Sequence, residues 1–206
     1  DHFSGGRVDD IIDLSNEWAF INYDYVPHPD DLYGGETLNA VLINLTDAQQ
    51  TLDGITLESH TARDQFGYTD TFLNFNGGLF AGSQGDDTLI VDKEFYFKTT
   101  QGGNDSIIIS GGSPLGKLEA GWDYDEGVNW NLNSNTFEYI NDGQTYTVTV
   151  EGNLRGLNGS WRDDVLVGDD GNNSLKGLGG DDLLQGLGGD DSLVFHYTGG
   201  GTITAE

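Results

Sequence analysis

Cysteine and methionine are both absent from this 206-residue sequence, proline occurs three times, and Lys plus Arg number eight against 35 Asp plus Glu. Each scarcity excludes something. Without cysteine there is no disulfide, so the fold must be held by burial and by metal rather than by cross-links. The prolines, Pro27, Pro29 and Pro114, mark loops, with residues 23–31 an excursion and 111–116 a break. A formal net charge of −27 makes nucleic acid and anionic membrane poor partners, and a compact body of that charge repels itself unless cations neutralise it. No apolar run is long enough for a membrane span, so insertion is not expected. Helical periodicity is scarce; residues 38–57 hold the best chance of a short helical turn, around 46–50. The four histidines, His2, His28, His60 and His196, never pair at i, i+4, which removes a zinc-binding H-E-x-x-H helix.

What the chain has instead is glycine, 32 residues, roughly twice the ordinary share of about 7%. Much of it falls in a nine-residue period. From Gly159 four blocks run without a gap to Val194: G-S-W-R-D-D-V-L-V, G-D-D-G-N-N-S-L-K, G-L-G-G-D-D-L-L-Q and G-L-G-G-D-D-S-L-V. Each opens with Gly, has Asp or Asn at its fifth and sixth positions and Leu at its eighth. Glycine lets the backbone turn sharply and lets carbonyl oxygens approach a cation. A sixth-position carboxylate is a hard, charged oxygen donor, which suits calcium. The eighth-position leucines, Leu166, Leu175, Leu184 and Leu193, are expected to stack as one apolar ladder. If two nonapeptides make one coil, turns on one side recur every 18 residues, as Asp164 and Asp182 do and as Asn173 and Asp191 do. One ion is then expected between each such pair of turns, bound from both.

The frame recurs upstream. Residues 82–90 read G-S-Q-G-D-D-T-L-I and 100–108 read T-Q-G-G-N-D-S-I-I, placing Asp87 and Asp105 18 residues apart. The stretch between them, V-D-K-E-F-Y-F-K-T, has lost its glycines and kept strand-forming residues. Residues 5–13, G-G-R-V-D-D-I-I-D, put Asp10 at position six, and 31–39, D-L-Y-G-G-E-T-L-N, form a degraded copy with Glu36 in the acidic place. Residues 40–81 show no clear repeat.

These blocks resemble the RTX (hemolysin-type calcium-binding) repeat, G-G-x-G-x-D-x-U-x with U a large aliphatic. Residues 118–158, with G-W-D-Y, V-N-W-N-L-N and V-T-V-E-G-N-L-R-G, resemble the strand-rich segment that precedes such repeat blocks. The resemblance implies an all-β parallel β-roll or β-solenoid with calcium-binding Gly/Asp turns and irregular insertions. It divides into a degenerate region over 1–118, with repeats at 5–13, 31–39, 82–90 and 100–108, and a strand-rich segment leading into the repeats over 119–206; one continuous solenoid is favoured. It implies several calcium ions held by Asp10, Asp87, Asp105, Asp164, Asn173, Asp182 and Asp191, with the turn glycines Gly82, Gly85, Gly103, Gly159, Gly168, Gly177, Gly179, Gly186 and Gly188. Arg162 in place of the fourth-position Gly and Asn173 in place of Asp are expected to weaken their sites, and Leu178 and Leu187 replace the second Gly. It also implies a bacterial protein that leaves by type I secretion to the exterior or cell surface, where calcium is plentiful enough for sites of roughly 10⁻⁴ to 10⁻³ M affinity.

The apparent catalytic motifs fail on inspection. Ala81 breaks a G-x-S-x-G elbow around Ser83, Leu118 stands where a phosphate-binding loop needs Ser or Thr, and Ser134 stands where an EF-hand loop from Asp123 needs Glu. The expectation is therefore a non-catalytic structural module: a stretch of adhesin, a surface coat or a self-associating fibre. Two alternatives remain open: a glycan-binding module using Trp18, Trp122, Trp130 and Trp161, or the accessory region of a secreted hydrolase or epimerase.

Overall fold

The computed structural model describes residues 2–4, 9, 11–14, 19–23, 40–52, 54–63, 67–99, 102–111, 116–121, 124–195 and 200–204. Among them there is no helix; they form 22 strands, numbered here in chain order. The first sheet is parallel throughout. Its order is β1 (His2–Ser4), β3 (Ala19–Asn22), β9 (Gly78–Ala81), β11 (Phe95–Thr99), β13 (Gly116–Ala120), β17 (Leu154–Asn158), β19 (Ser174–Lys176) and β21 (Ser192–Val194). The second sheet runs β15 (Thr136–Asn141), β16 (Gln144–Glu151), β12 (Asp105–Ile109), β10 (Thr88–Val91), β4 (Leu42–Leu45), β7 (Thr61–Arg63), β8 (Thr69–Leu73) and β2 (Ile11–Asp13). The third is parallel: β14 (Asn129–Asn131), β18 (Val165–Val167), β20 (Asp181–Gln185) and β22 (Gly200–Thr204). A hairpin of β5 (Gln50–Leu52) and β6 (Ile55–Leu57) completes the set.

The all-β class agrees with the sequence reading. The architecture is less uniform than a parallel roll, because the second sheet is mixed and none of the sheets closes. Its antiparallel pairs are β15–β16, β4–β7 and β7–β8. The cause is local. Asp142 and Gly143 take φ of 52° and 69°, the left-handed pair that a two-residue hairpin turn needs, so β16 folds straight back on β15. Nor do residues 46–50 turn into a helix. The buried Asn44 amide donates to the carbonyls of Ala48, Leu57 and Glu58 at 2.8, 3.3 and 2.9 Å, holding the segment as a bend beneath the hairpin. Leu42, Leu52, Leu57 and Ile90 form a small second core there, separate from the main one.

The main core is built from ladders of aligned side chains. On the first sheet Ile21, Phe80, Phe97, Leu118, Leu157, Leu175 and Leu193 follow one another in register. On the third sheet Trp130, Leu166 and Leu184 do the same. The four repeat leucines thus split between two sheets instead of forming one ladder. Successive nonapeptides supply alternate sheets, and Leu166, Leu175 and Leu184, fully buried, share one core. Each coil buries its apolar residues only against its neighbours.

Candidate metal-binding turns

Where the chain enters each strand from a turn, the sixth-position side chain points into the interior. Asp87, Asp105, Asp164, Asn173 and Asp182 are all at least 95% buried. Parallel register stacks them into columns. In the first, Asp87 Oδ1 accepts the amide of Val41 at 2.7 Å, and Asp105 Oδ1 accepts the amide of Asp87 at 3.0 Å. In the second, Asp164 Oδ1 accepts from the Val128 amide at 2.8 Å, and Asp182 Oδ1 from the Asp164 amide at 3.0 Å. In the third, Asp191 Oδ1 accepts from the Asn173 amide at 2.9 Å. Each carboxylate thus reaches back to the equivalent residue of the preceding coil, 18 residues earlier within the repeats.

The fifth position does the reverse. Asp86, Asp163 and Asn172 accept from the amides of Asn104, Asp181 and Asp190 in the following coil, each at 2.7–2.8 Å. Sequence reading noted Asp or Asn there without assigning it a task. The sixth position thus satisfies turn amides that would otherwise be buried without a partner, while the fifth ties successive turns together at the surface.

The turns are of two kinds, and in the matched repeats two of the first kind precede two of the second. In one kind the second residue is Ser83, Ser160 or Asp169, and its oxygen caps the turn. Ser83 Oγ donates to Asp87 at 2.7 Å and accepts from the Gly85 amide at 3.0 Å. Ser160 repeats this with Asp164 and Arg162 at 2.9 and 3.0 Å, whereas Asp169 Oδ1 accepts both bonds, from Asn173 Nδ2 at 2.9 Å and from the Gly171 amide at 2.7 Å. Ser83 is therefore a buried turn residue whose hydroxyl is taken up by Asp87 and the Gly85 amide. Gly85 and Gly171 keep ordinary φ in these turns, so Arg162 fits the same place without strain and donates its Nε to the Tyr124 carbonyl at 2.9 Å. In the other kind the second residue is Leu178 or Leu187, at φ of 74° and 66°, and the fourth is Gly180 or Gly189, also left-handed.

The first-position glycines serve another purpose. A Cβ on Gly82, Gly159, Gly177 or Gly186 would lie 2.0–2.2 Å from Oδ2 of the sixth-position aspartate, and one on Gly168 2.3 Å from Asn173 Oδ1. These glycines leave room for the carboxylate. Gly103 instead packs on the Gly85 carbonyl, Gly179 lies under the half-exposed Trp161 ring, and Gly188 lies close to the Asp170 backbone, where a Cβ would come within 3.3 Å of its Cα. Trp130 is a core residue, its Nε1 bonded to the Glu138 carbonyl at 2.8 Å, so it offers no sugar-stacking face. Asp10, the 31–39 block, Trp18 and Trp122 lie outside the described residues.

Burial dominates the electrostatics. It raises the Asp87 and Asp164 carboxyls to about 6, and with the neighbouring Asp87 charge it raises Asp105 to about 8. Burial also pushes Asp182 up. Stacked, desolvated carboxylates of this kind favour either a proton or a cation. Asp182 Oδ2 is buried with no hydrogen-bond partner, an acceptor of the type a hard cation satisfies. Among the described residues no three Asp, Glu or His side chains gather into one cluster, so carboxylates can supply only part of a coordination shell. The turn carbonyls that crowd the glycines, those of Gly85, Arg162, Gly171, Gly177 and Gly186, are further hard oxygens in the same turns. This all-oxygen donor set fits Ca²⁺, which takes six to eight such ligands.

No curated protein matches the chain. A family model does: the RTX calcium-binding nonapeptide repeat matches residues 158–193 in four copies, so the second and third columns stand in an RTX calcium-binding repeat region.

Proposed function

We propose that the chain is a non-catalytic extracellular module whose repeat region completes its fold as a parallel β-roll on binding several calcium ions, and that its role is structural, in a surface adhesin, coat or self-associating fibre. The observation that carries this reading is the buried Asp164–Asp182 column. Two carboxylates lie one above the other away from water, one oxygen has no partner, and eight cationic side chains in the whole chain stand against 35 acidic ones. Asp182, Asp164, Asp191 and Asn173 would hold ions in the matched repeats, and Asp87 and Asp105 upstream. The metal would supply charge neutralisation and coordination; the chain supplies turns already closed by the fifth- and second-position side chains. An extracellular setting agrees with RTX repeats being typical of proteins exported by type I secretion.

The non-catalytic part rests on the sequence, where the elbow around Ser83, the phosphate-binding loop at 111–117 and the EF-hand loop from Asp123 each lack a required residue. No helix among the described residues is long and apolar enough to cross a membrane.

A ligand that binds only the folded state stabilises it by RT ln(1 + [L]/Kd), about 1.8 kcal/mol per ion at ~10 mM calcium and a Kd of ~0.5 mM. Three such ions would contribute roughly 5 kcal/mol, comparable with the net stability of a small domain. Circular dichroism and thermal melting during a calcium titration test this. We expect β signal and melting temperature to rise with calcium and to fall with chelator, while magnesium at equal concentration does little. A spectrum and melting temperature indifferent to calcium would sink the reading.

A further inference from the structure

The chain has eight cationic side chains, and four of them, Lys98, Lys117, Arg155 and Lys176, stand on one surface. That surface is the outer face of the first sheet. Burial alternates along β11 and β13, so Phe97 and Leu118 point inward while Tyr96, Lys98, Lys117 and Glu119 point out. Register sets Lys98, Glu119, Asn158 and Lys176 side by side on four adjacent strands. Arg155 is the extra residue of a bulge between β13 and β17, which turns its side chain onto the same face, where it meets Glu94 at 2.5 Å. Lys117 bonds Ser174 Oγ at 2.7 Å and lies 5.3 Å from the centre of the Tyr96 ring. Burial, then the nearby charges of Arg155 and Lys176, hold its ammonium below the ordinary lysine range. Among the described residues four cations share this face with Glu94 and Glu119, a local excess of positive charge on a body of net charge −27.

The complementary surface is on the same molecule. The exposed fifth-position aspartates Asp163 and Asp181 follow each other up one edge of the stack, one coil apart, and Asp86 and Asp190 hold the same place in other turns. Coils and strands share one repeat, about 4.8 Å, so an edge row of carboxylates and a sheet row of cations are commensurate. We propose that the cationic outer face of the first sheet docks the acidic turn row of a second copy of the chain. The contact is heterologous, face on edge, and such contacts extend into open fibres when the rotation does not close. The proposal rests on the self-associating reading above and assigns it a surface. Calcium promotes the contact by lowering the overall repulsion between copies.

Sedimentation velocity of the full chain in calcium, at about 50 and about 500 mM NaCl, tests it, because a contact between exposed charges is screened at the higher salt. The double substitution Lys98→Gln, Lys176→Gln removes the charges of two half-buried side chains on that face and leaves the inward-pointing residues of both strands in place. The expected result is concentration-dependent association at low salt, weakened by high salt and weakened about tenfold by the double substitution. Circular dichroism on the same samples separates failures. A variant that keeps the calcium-dependent spectrum and loses association supports the face, whereas loss of calcium dependence in the parent chain strikes the calcium reading alone. A strict monomer at low salt, or association that ignores both salt and the substitutions, overturns the proposal. So does a monomer that binds a soluble sulfated polysaccharide instead.

Discussion

At the scale of single residues, the nonapeptide divides its work more finely than its consensus implies. The sixth position reaches back one coil, the fifth reaches forward, and the second either caps the turn or takes a left-handed conformation. Leu178 shows the cost of the last arrangement. A non-glycine residue at φ of 74° carries strain of about 1–2 kcal/mol. Changing Leu178 to β-branched Val should destabilise the folded protein by roughly 1 kcal/mol or more, whereas Leu178→Gly trades strain relief against lost burial and unfolded-state entropy and should change it by less than about 0.5 kcal/mol. Denaturant melts in saturating calcium measure both; equal losses would mean that the φ angle is not what matters. Gly177 makes a sharper case, since a Cβ there would lie 2.1 Å from Asp182 Oδ2. Gly177→Ala should therefore weaken calcium binding about as much as Asp182→Ala does, and isothermal titration should show one site lost or weakened in each. The raised carboxyl pKa values give a further expectation, for calcium-free protein. Asp87 and Asp164 at about 6 and Asp105 at about 8 hold protons more tightly folded than unfolded, where the value is 3.8. Their contribution is fully present below about pH 4 and is lost as the pH rises through 6 towards 8, so the calcium-free melting temperature should be higher at about pH 5 than at about pH 8. With calcium bound the order should reverse, because the cation then competes with the proton for the same oxygens.

At the scale of elements, two grammars compete: parallel stacking of coils, and tight antiparallel hairpins. The hairpin of β15 and β16 is set by Asp142-Gly143 and adds an antiparallel strand to the edge of the second sheet. Gly143 has open space around it, so its φ of 69° is the only demand it makes. Gly143→Ala should cost about 1 kcal/mol in stability and leave the calcium stoichiometry unchanged, which a melt and a titration on one preparation would check. Elements also show how far the sequence could be read. The repeat frame placed the sixth-position aspartates and the 18-residue spacing correctly, because stacking in register turns sequence period into spatial period. It missed the mixed pairing at residues 42–73 and 136–151, although Asp-Gly at 142–143 is a hairpin signal in its own right. The block read at 31–39, with Glu36 in the acidic place, lies outside the described residues, and the amide that Asp87 accepts is that of Val41, at the mouth of β4. Alternation of the repeat leucines between two sheets was missed because a nine-residue period specifies a turn, not the sheet to which the next strand belongs.

At the scale of the whole molecule, the core is uneven along the stack. Its middle is filled by large rings, Phe80, Phe95, Phe97, Tyr124, Trp130 and Phe137, each at most 2% exposed. Its C-terminal coils rest on single leucines, Leu175 and Leu184, with Leu193 only partly buried. Deletion of a buried leucine side chain costs about 2–5 kcal/mol and of a buried aromatic about 3–5, so a coil built on one leucine has far less apolar stabilisation than one built on several rings. The C-terminal coils also carry most of the stacked carboxylates in the matched repeats, whose repulsion is unrelieved without metal. Both terms point the same way. Calcium removal should therefore not melt the stack uniformly. Amides of β18–β21 should lose protection from hydrogen exchange first, and those of β10–β13 should stay protected at chelator concentrations that already open the repeats. Exchange followed peptide by peptide across a calcium titration would show two transitions, the C-terminal one at higher calcium. A single transition, with both regions opening at the same calcium concentration, would mean that the coils fold as one cooperative unit and that the aromatic middle lends its stability to the repeats through the continuous first sheet.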